Sequence, residues 1–120
     1  MLRTRNWHLS AKLLFLDIET APIIGAVWKL YEDNVIWVER DTHLLMFSYK
    51  WGHEQSVKTC CLPDFPRYKR SKYDDKDLCR ILHNLLDEAD IVVAHNGDAF
   101  DVKKINARLI VNGFGPPSPY

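Results

Sequence analysis

The chain has 120 residues, enough for one domain with its own core, and 47% of them are hydrophobic. Its 16 basic and 16 acidic side chains leave a formal net charge of zero, which excludes a global attraction to polyanions and makes any nucleic-acid contact local. No apolar stretch reaches the length of a membrane span, and the N-terminus lacks a signal-peptide core. The three cysteines include an adjacent pair, Cys60-Cys61, and form no C-x-x-C, so they read as buried reduced thiols of a cytoplasmic protein.

Residues 1–10, with Arg3 and Arg5, form a polar lead-in, and the domain is assigned to 11–120. Lys12 to Leu16 is a short apolar run that predicts a buried strand. Strand side chains alternate, so Asp17 and Glu19 project to one side at its end while Ile18 turns into the core. Two carboxylates this close repel unless a cation lies between them, although an isolated D-x-E also occurs at solvated strand ends. Thr20 to Arg40 opens on a break at Pro22 and has no clean period. Its Trp28, Tyr31 and Trp37 are expected to pack an irregular segment onto the sheet; the alternative is a wall on which bases stack.

His43 to Trp51 predicts a second strand and Gln55 to Leu62 a third, joined by a hairpin turn at Trp51-Gly52-His53-Glu54. Arg67 to Tyr73 is a basic run interleaved with Tyr68 and Tyr73, a solvated loop or a grip on phosphates. A helix follows over Asp75 to Asp87, with Leu78, Ile81, Leu82 and Leu85 on one stripe and His83 off it, exposed. Ile91 to Ala94 is another buried strand, stopped by His95-Asn96-Gly97. Asp98 is placed to cap a helix that Phe100-Asp101 opens and that runs to about Val111 on a stripe of Val102, Ile105 and Leu109. Asp101 in the first turn suits the helix dipole and also lies where neighbouring strands end. Lys104 and Arg108 share its side of the helix, where phosphate or plain solvent would suit them.

Phe15-Leu16-Asp17-Ile18-Glu19-Thr20 followed by His95-Asn96-Gly97-Asp98-Ala99-Phe100-Asp101 resembles the first two motifs of the DnaQ-like, or DEDD, 3′–5′ exonucleases of ribonuclease H-like fold. The tail Asn112 to Tyr120 further resembles phage and bacterial members. The likeness runs from Lys12 onward, with specificity confined to the two motifs. It implies an α/β mixed sheet flanked by helices. Strands two and three would lie antiparallel to their neighbours, and the fourth parallel to the first.

The family's fifth strand and last helix would fall beyond Tyr120, so the C-terminal strand and helix are missing. That leaves an unpaired edge and implies marginal stability. The family's third motif, Tyr-x3-Asp or His-x4-Asp, supplies a fourth carboxylate and also lies past that point. Tyr73 to Asp77 matches Tyr-x3-Asp but precedes the second motif, and it reads as a helix start.

The resemblance implies that Asp17, Glu19 and Asp101 are catalytic and hold two Mg²⁺ or Mn²⁺ ions, with Asp17 touching both. It places Thr20, Asn96 and Phe100 against the substrate, whereas at His95 the family varies. The implied substrate is the 3′ end of single-stranded DNA or RNA, with a polymerase or helicase as partner. A catalytically incomplete remnant that binds nucleic acid or protein is the alternative. The D-x-D-x-T signature of aspartyl-nucleophile phosphatases is excluded, since Glu19 stands in second place and Thr20 follows it directly.

Overall fold

A computed structural model describes residues 11–31, 34–94 and 101–117, Asp101 by its backbone. The chain runs β1 (Leu13–Thr20), β2 (Ile24–Ala26), β3 (Trp37–Arg40), β4 (Leu44–Trp51) and β5 (Lys58–Cys61). A 3₁₀ turn at Leu62–Asp64 and a short helix α1 (Arg67–Arg70) lead to α2 (Lys76–Glu88), β6 (Ile91–Val93) and α3 (Asp101–Val111). β1, β4, β5, β6, α2 and α3 lie within a few residues of where periodicity puts them.

The main sheet has four strands in the order β5-β4-β1-β6. β4 runs antiparallel to both β1 and β5, and β6 runs parallel to β1, as the resemblance implies. The parallel pairing needs a crossover, which α2 supplies after β5. β6 then lies at an edge of the sheet.

Alternation along β1 decides which face is core. Leu14, Leu16 and Ile18 are buried and meet Leu44, Phe47 and Trp51 of β4 beneath α2 and α3. On α2 the buried stripe is Leu78, Cys79, Leu82, Leu85 and Leu86, with Ile81 at its margin. On α3 it is Ile105 and Leu109. The opposite sheet face, with Phe15, Asp17, Glu19, Ile91 and Val93, stays exposed.

The end of α3 is a Schellman motif: Phe114 N–H donates to Leu109 C=O and Gly113 N–H to Ile110 C=O. Gly113 sits there at φ +83°, where a side chain would strain the backbone. The turn returns Phe114 to the core margin, where its ring stacks on His83 at 5.8 Å. His83 is therefore half-buried rather than exposed.

The segment after Thr20 departs from expectation. β2 and β3 pair antiparallel with each other in a separate two-stranded sheet. The side chains of β2 and most of those of β3 are exposed. Trp28 (81%), Tyr31 (78%) and Trp37 (69%) are exposed, not packed. Cys60 and Cys61 lie on the edge strand and are half-buried, whereas Cys79 is fully buried. Among the described residues no helix is long and apolar enough to cross a membrane.

Candidate active site

The site grows out of the alternation that builds the core. With Leu16 and Ile18 turned inward, Asp17 and Glu19 must face the uncovered side, and both are exposed there. They are two residues apart on a strand, roughly 7 Å along its axis. Across the ladder Asp17 sits opposite Ser48 and Glu19 opposite Met46. No described side chain engages either carboxylate in an ion pair or hydrogen bond. The register shifts between Glu19 and Thr20, an irregularity that turns the chain just past the acids.

Beyond that shift the chain is tied to the start of β4. Ala21 N–H donates to His43 C=O (2.9 Å), and the Thr42 hydroxyl donates to Ala21 C=O (2.6 Å). Beside Asp17, an apolar trough of about 430 Å³ is lined by Phe15, Tyr49, Val57 and Val93, with Ser48 and Lys50 at its polar side.

Helix α3 comes to the same end of the sheet. β6 runs parallel to the first residues of β1, so the chain leaves β6 level with Phe15 and heads toward the end of β1 that carries Asp17 and Glu19. α3 then opens at Asp101. One turn on, the Lys104 ammonium lies 3.4 Å from the Thr20 hydroxyl, fixing the first turns of the helix beside the end of β1. Asn96 and Phe100 lie outside the described residues, as do His95 and Asp98, and of Asp101 only the backbone is described. Among the described residues there is no group of three His, Cys, Asp or Glu side chains able to hold a metal. The described donor set is Asp17 and Glu19, hard oxygens of the kind Mg²⁺ and Mn²⁺ prefer.

A second polar cluster, unseen in the sequence, sets the angle of α3. Asp75 is fully buried at the start of α2. Its carboxylate accepts from Arg108 Nε (2.8 Å) and Nη2 (2.9 Å), from Leu44 N–H (2.8 Å) and from Asn112 Nδ2 (2.9 Å). Burial pushes this carboxyl up. The hydrogen bonds from Arg108, Leu44 and Asn112, with the guanidinium charge, outweigh burial and hold it below its usual range. Arg108 is thus a buried clamp between α3, α2 and β4 and does not face a substrate. Because Asp75 is turned to Arg108, it is Asp74 that accepts from Lys76 N–H in the first turn of α2.

His43 packs beside this cluster, 5% exposed, with Nδ1 buried and unpartnered. Burial lowers its pKa, assisted by Arg108 and Arg40 and opposed by Asp75 and Asp41.

The basic run is only partly taken up by structure, since Lys69, Arg70 and Lys72 are exposed. Arg67 approaches Asp77 (3.4 Å) and Asp74 (3.8 Å), Tyr68 packs against the core, and the Tyr73 ring lies 3.7 Å beneath the Arg40 guanidinium. Asp77 is also held by Arg80 (2.8 Å), in keeping with reading Tyr73 to Asp77 as a helix start.

No family model matches the chain, and no curated protein does. Among solved structures it is similar to the family B DNA polymerase from the hyperthermophilic archaeon Pyrobaculum calidifontis, with a TM-score of 0.57 and 18% identity. The match covers 87% of this chain and 11% of the polymerase. The chain therefore corresponds to about a tenth of that enzyme's length, and at this identity the likeness is one of fold.

Proposed function

We propose that this chain carries the site of a metal-dependent 3′–5′ exonuclease of ribonuclease H-like fold. The observation that carries the reading is the convergence at one sheet end. Asp17 and Glu19 project together from β1, and α3, which begins at Asp101, is fixed there through Lys104 and Thr20. Strand order and directions support the fold, and similarity to a DNA polymerase is in keeping with a nucleic-acid substrate.

Asp17, Glu19 and Asp101 would hold Mg²⁺ or Mn²⁺, and the donor chemistry fits. Asp17 and Glu19 offer oxygen ligands with no competing described cation, and their mutual repulsion is relieved by a bound one. When bound, a pair of such ions lowers the pKa of a water and neutralises charge on the attacking and leaving oxygens. The chain's own share is positional. β1 is paired with β4 through Asp17 and Glu19, so both carboxylates stand on a hydrogen-bonded ladder. The backbone of Thr20 is assigned to the terminal nucleotide, Asn96 to positioning the substrate or the Asp101 loop, and Phe100 to substrate binding.

The test is shortening of a 5′-labelled single strand. The expected result is stepwise loss from the 3′ end with Mg²⁺ or Mn²⁺, none with EDTA, and none in Asp17→Asn. Undiminished activity in Asp17→Asn would sink the assignment. Binding without shortening under every metal condition would replace it with the binding-remnant reading.

A further inference from the structure

Beyond Glu19 the surface dips into a cavity of about 380 Å³, lined by Thr20, Ala21, Pro22, Ile23, Thr42 and Lys104. Its composition is uneven in a useful way. Pro22 and Ile23 give an apolar wall, Ala21 and Thr42 present backbone and methyl groups, and the Thr42 hydroxyl is spent on Ala21 C=O. The cationic side chain of the lining is Lys104, half-buried and directed across the cavity to the Thr20 hydroxyl at 3.4 Å. In this contact, at the long limit of a hydrogen bond, the ammonium donates and the Thr20 oxygen accepts, so the cation and the hydroxyl stand side by side.

We propose that Lys104 and Thr20 form the seat of a backbone phosphate of the substrate strand, within its last two linkages, making Lys104 a positioning residue. This rests on the exonuclease reading of the same site. Three features favour a phosphate. First, an ammonium and a hydroxyl a few ångströms apart offer several N–H and O–H donors to one oxyanion, the charge-assisted geometry that binds phosphate. Second, Thr20 directly follows Glu19, so a phosphate held here belongs to a nucleotide next to the one at the carboxylates. Third, Lys104 lies one helical turn from Asp101, so helix α3 ties the phosphate seat to the metal-binding residues as one rigid unit. The chain has no net charge to attract a polyanion. A placed cation at the strand end therefore supplies orientation that the overall field does not.

The experiment measures binding of 3′-terminated single strands to the intact chain carrying Asp17→Asn, so that nothing is cut. Binding is compared with and without Lys104→Met, across a salt series. One strand is all-phosphate; another has uncharged methylphosphonates at its last two linkages. Lys104→Met should weaken the all-phosphate strand roughly tenfold. It should also flatten the slope of log affinity against log salt by about 0.7, the value for one phosphate contact on a single strand. Lys104→Arg should restore both, and against the methylphosphonate strand Lys104→Met should change nothing.

If Lys104→Met binds the all-phosphate strand as tightly and with the same slope, the proposal is overturned while the exonuclease reading stands. An equal loss on both strands also overturns it, since the lysine would then be acting through the fold. If the parent binds neither strand, the exonuclease reading falls and the proposal with it.

Discussion

Arg108→Met is the most consequential single change outside the proposed site. It takes both guanidinium hydrogen bonds and the counter-charge from Asp75, which is fully buried. Leu44 N–H and Asn112 remain as partners, but neither carries charge. Leaving a buried carboxylate without its cation costs about 3–5 kcal/mol. Native domains hold only about 5–15 kcal/mol in total, so the variant loses a large fraction of its stability.

The assay is urea unfolding of parent, Arg108→Met, Asp75→Leu and the double variant. The double variant should be more stable than the summed single losses imply, with a coupling of roughly 0.5–3 kcal/mol. The pH dependence gives an independent reading. The Asp75 carboxyl is depressed in the fold, so its contribution is present above the unfolded value of about 3.9 and lost as pH falls through the lower folded value. In Arg108→Met burial is opposed only by Leu44 and Asn112, and this acid loss should shrink. A loss under about 1 kcal/mol, or an unchanged acid limb, would refute the clamp.

Leu82→Ala, fully buried on α2 beneath the sheet, should cost about 2–5 kcal/mol in the same urea assay. His43 is held neutral by burial, its pKa below the ordinary value of about 6.5. Stability should therefore be full above that value and fall as pH drops through the lower folded one; His43→Gln should flatten the slope over that window. The Cys79 thiol, pushed up to about 12 by burial, should resist alkylation in the native chain at mildly alkaline pH. Mass spectrometry should find label at Cys60 or Cys61 first, and at Cys79 only in urea.

What could be read in the sequence was whatever period and motif govern. Alternation through Leu14, Leu16 and Ile18 foretold the inner face of β1, and hence that Asp17 and Glu19 face outward. The 3.6 period foretold the burial of Leu78, Leu82, Leu85, Ile105 and Leu109. The hairpin of β2 and β3 was illegible because its strands are three and four residues long and neither face is buried, so no alternation marks them. That is also why Trp28, Tyr31 and Trp37 were assigned to packing that they do not make.

Arg108 was misjudged for a different reason. The sequence places it on the Asp101 side of α3, where phosphate or solvent suits it, yet it is buried. Its partner Asp75 is 33 residues away, where nothing local announces a bidentate pair. The sequence places Lys104 on the Asp101 side of its helix, but only the folded chain brings it to Thr20, 84 residues earlier.

The central claim is that Asp17, Glu19 and Asp101 together hold divalent metal. Mn²⁺ titration of the intact chain, followed by the paramagnetic signal of the free ion, tests it most directly. The account predicts saturable binding of two ions, weakened at least about tenfold in Asp17→Asn, Glu19→Gln and Asp101→Asn alike, as loss of one charged ligand implies. Asp64→Asn, remote in sequence from the proposed ligands, should bind as the parent does. Equal Mn²⁺ affinity in the parent and all three site variants would contradict it.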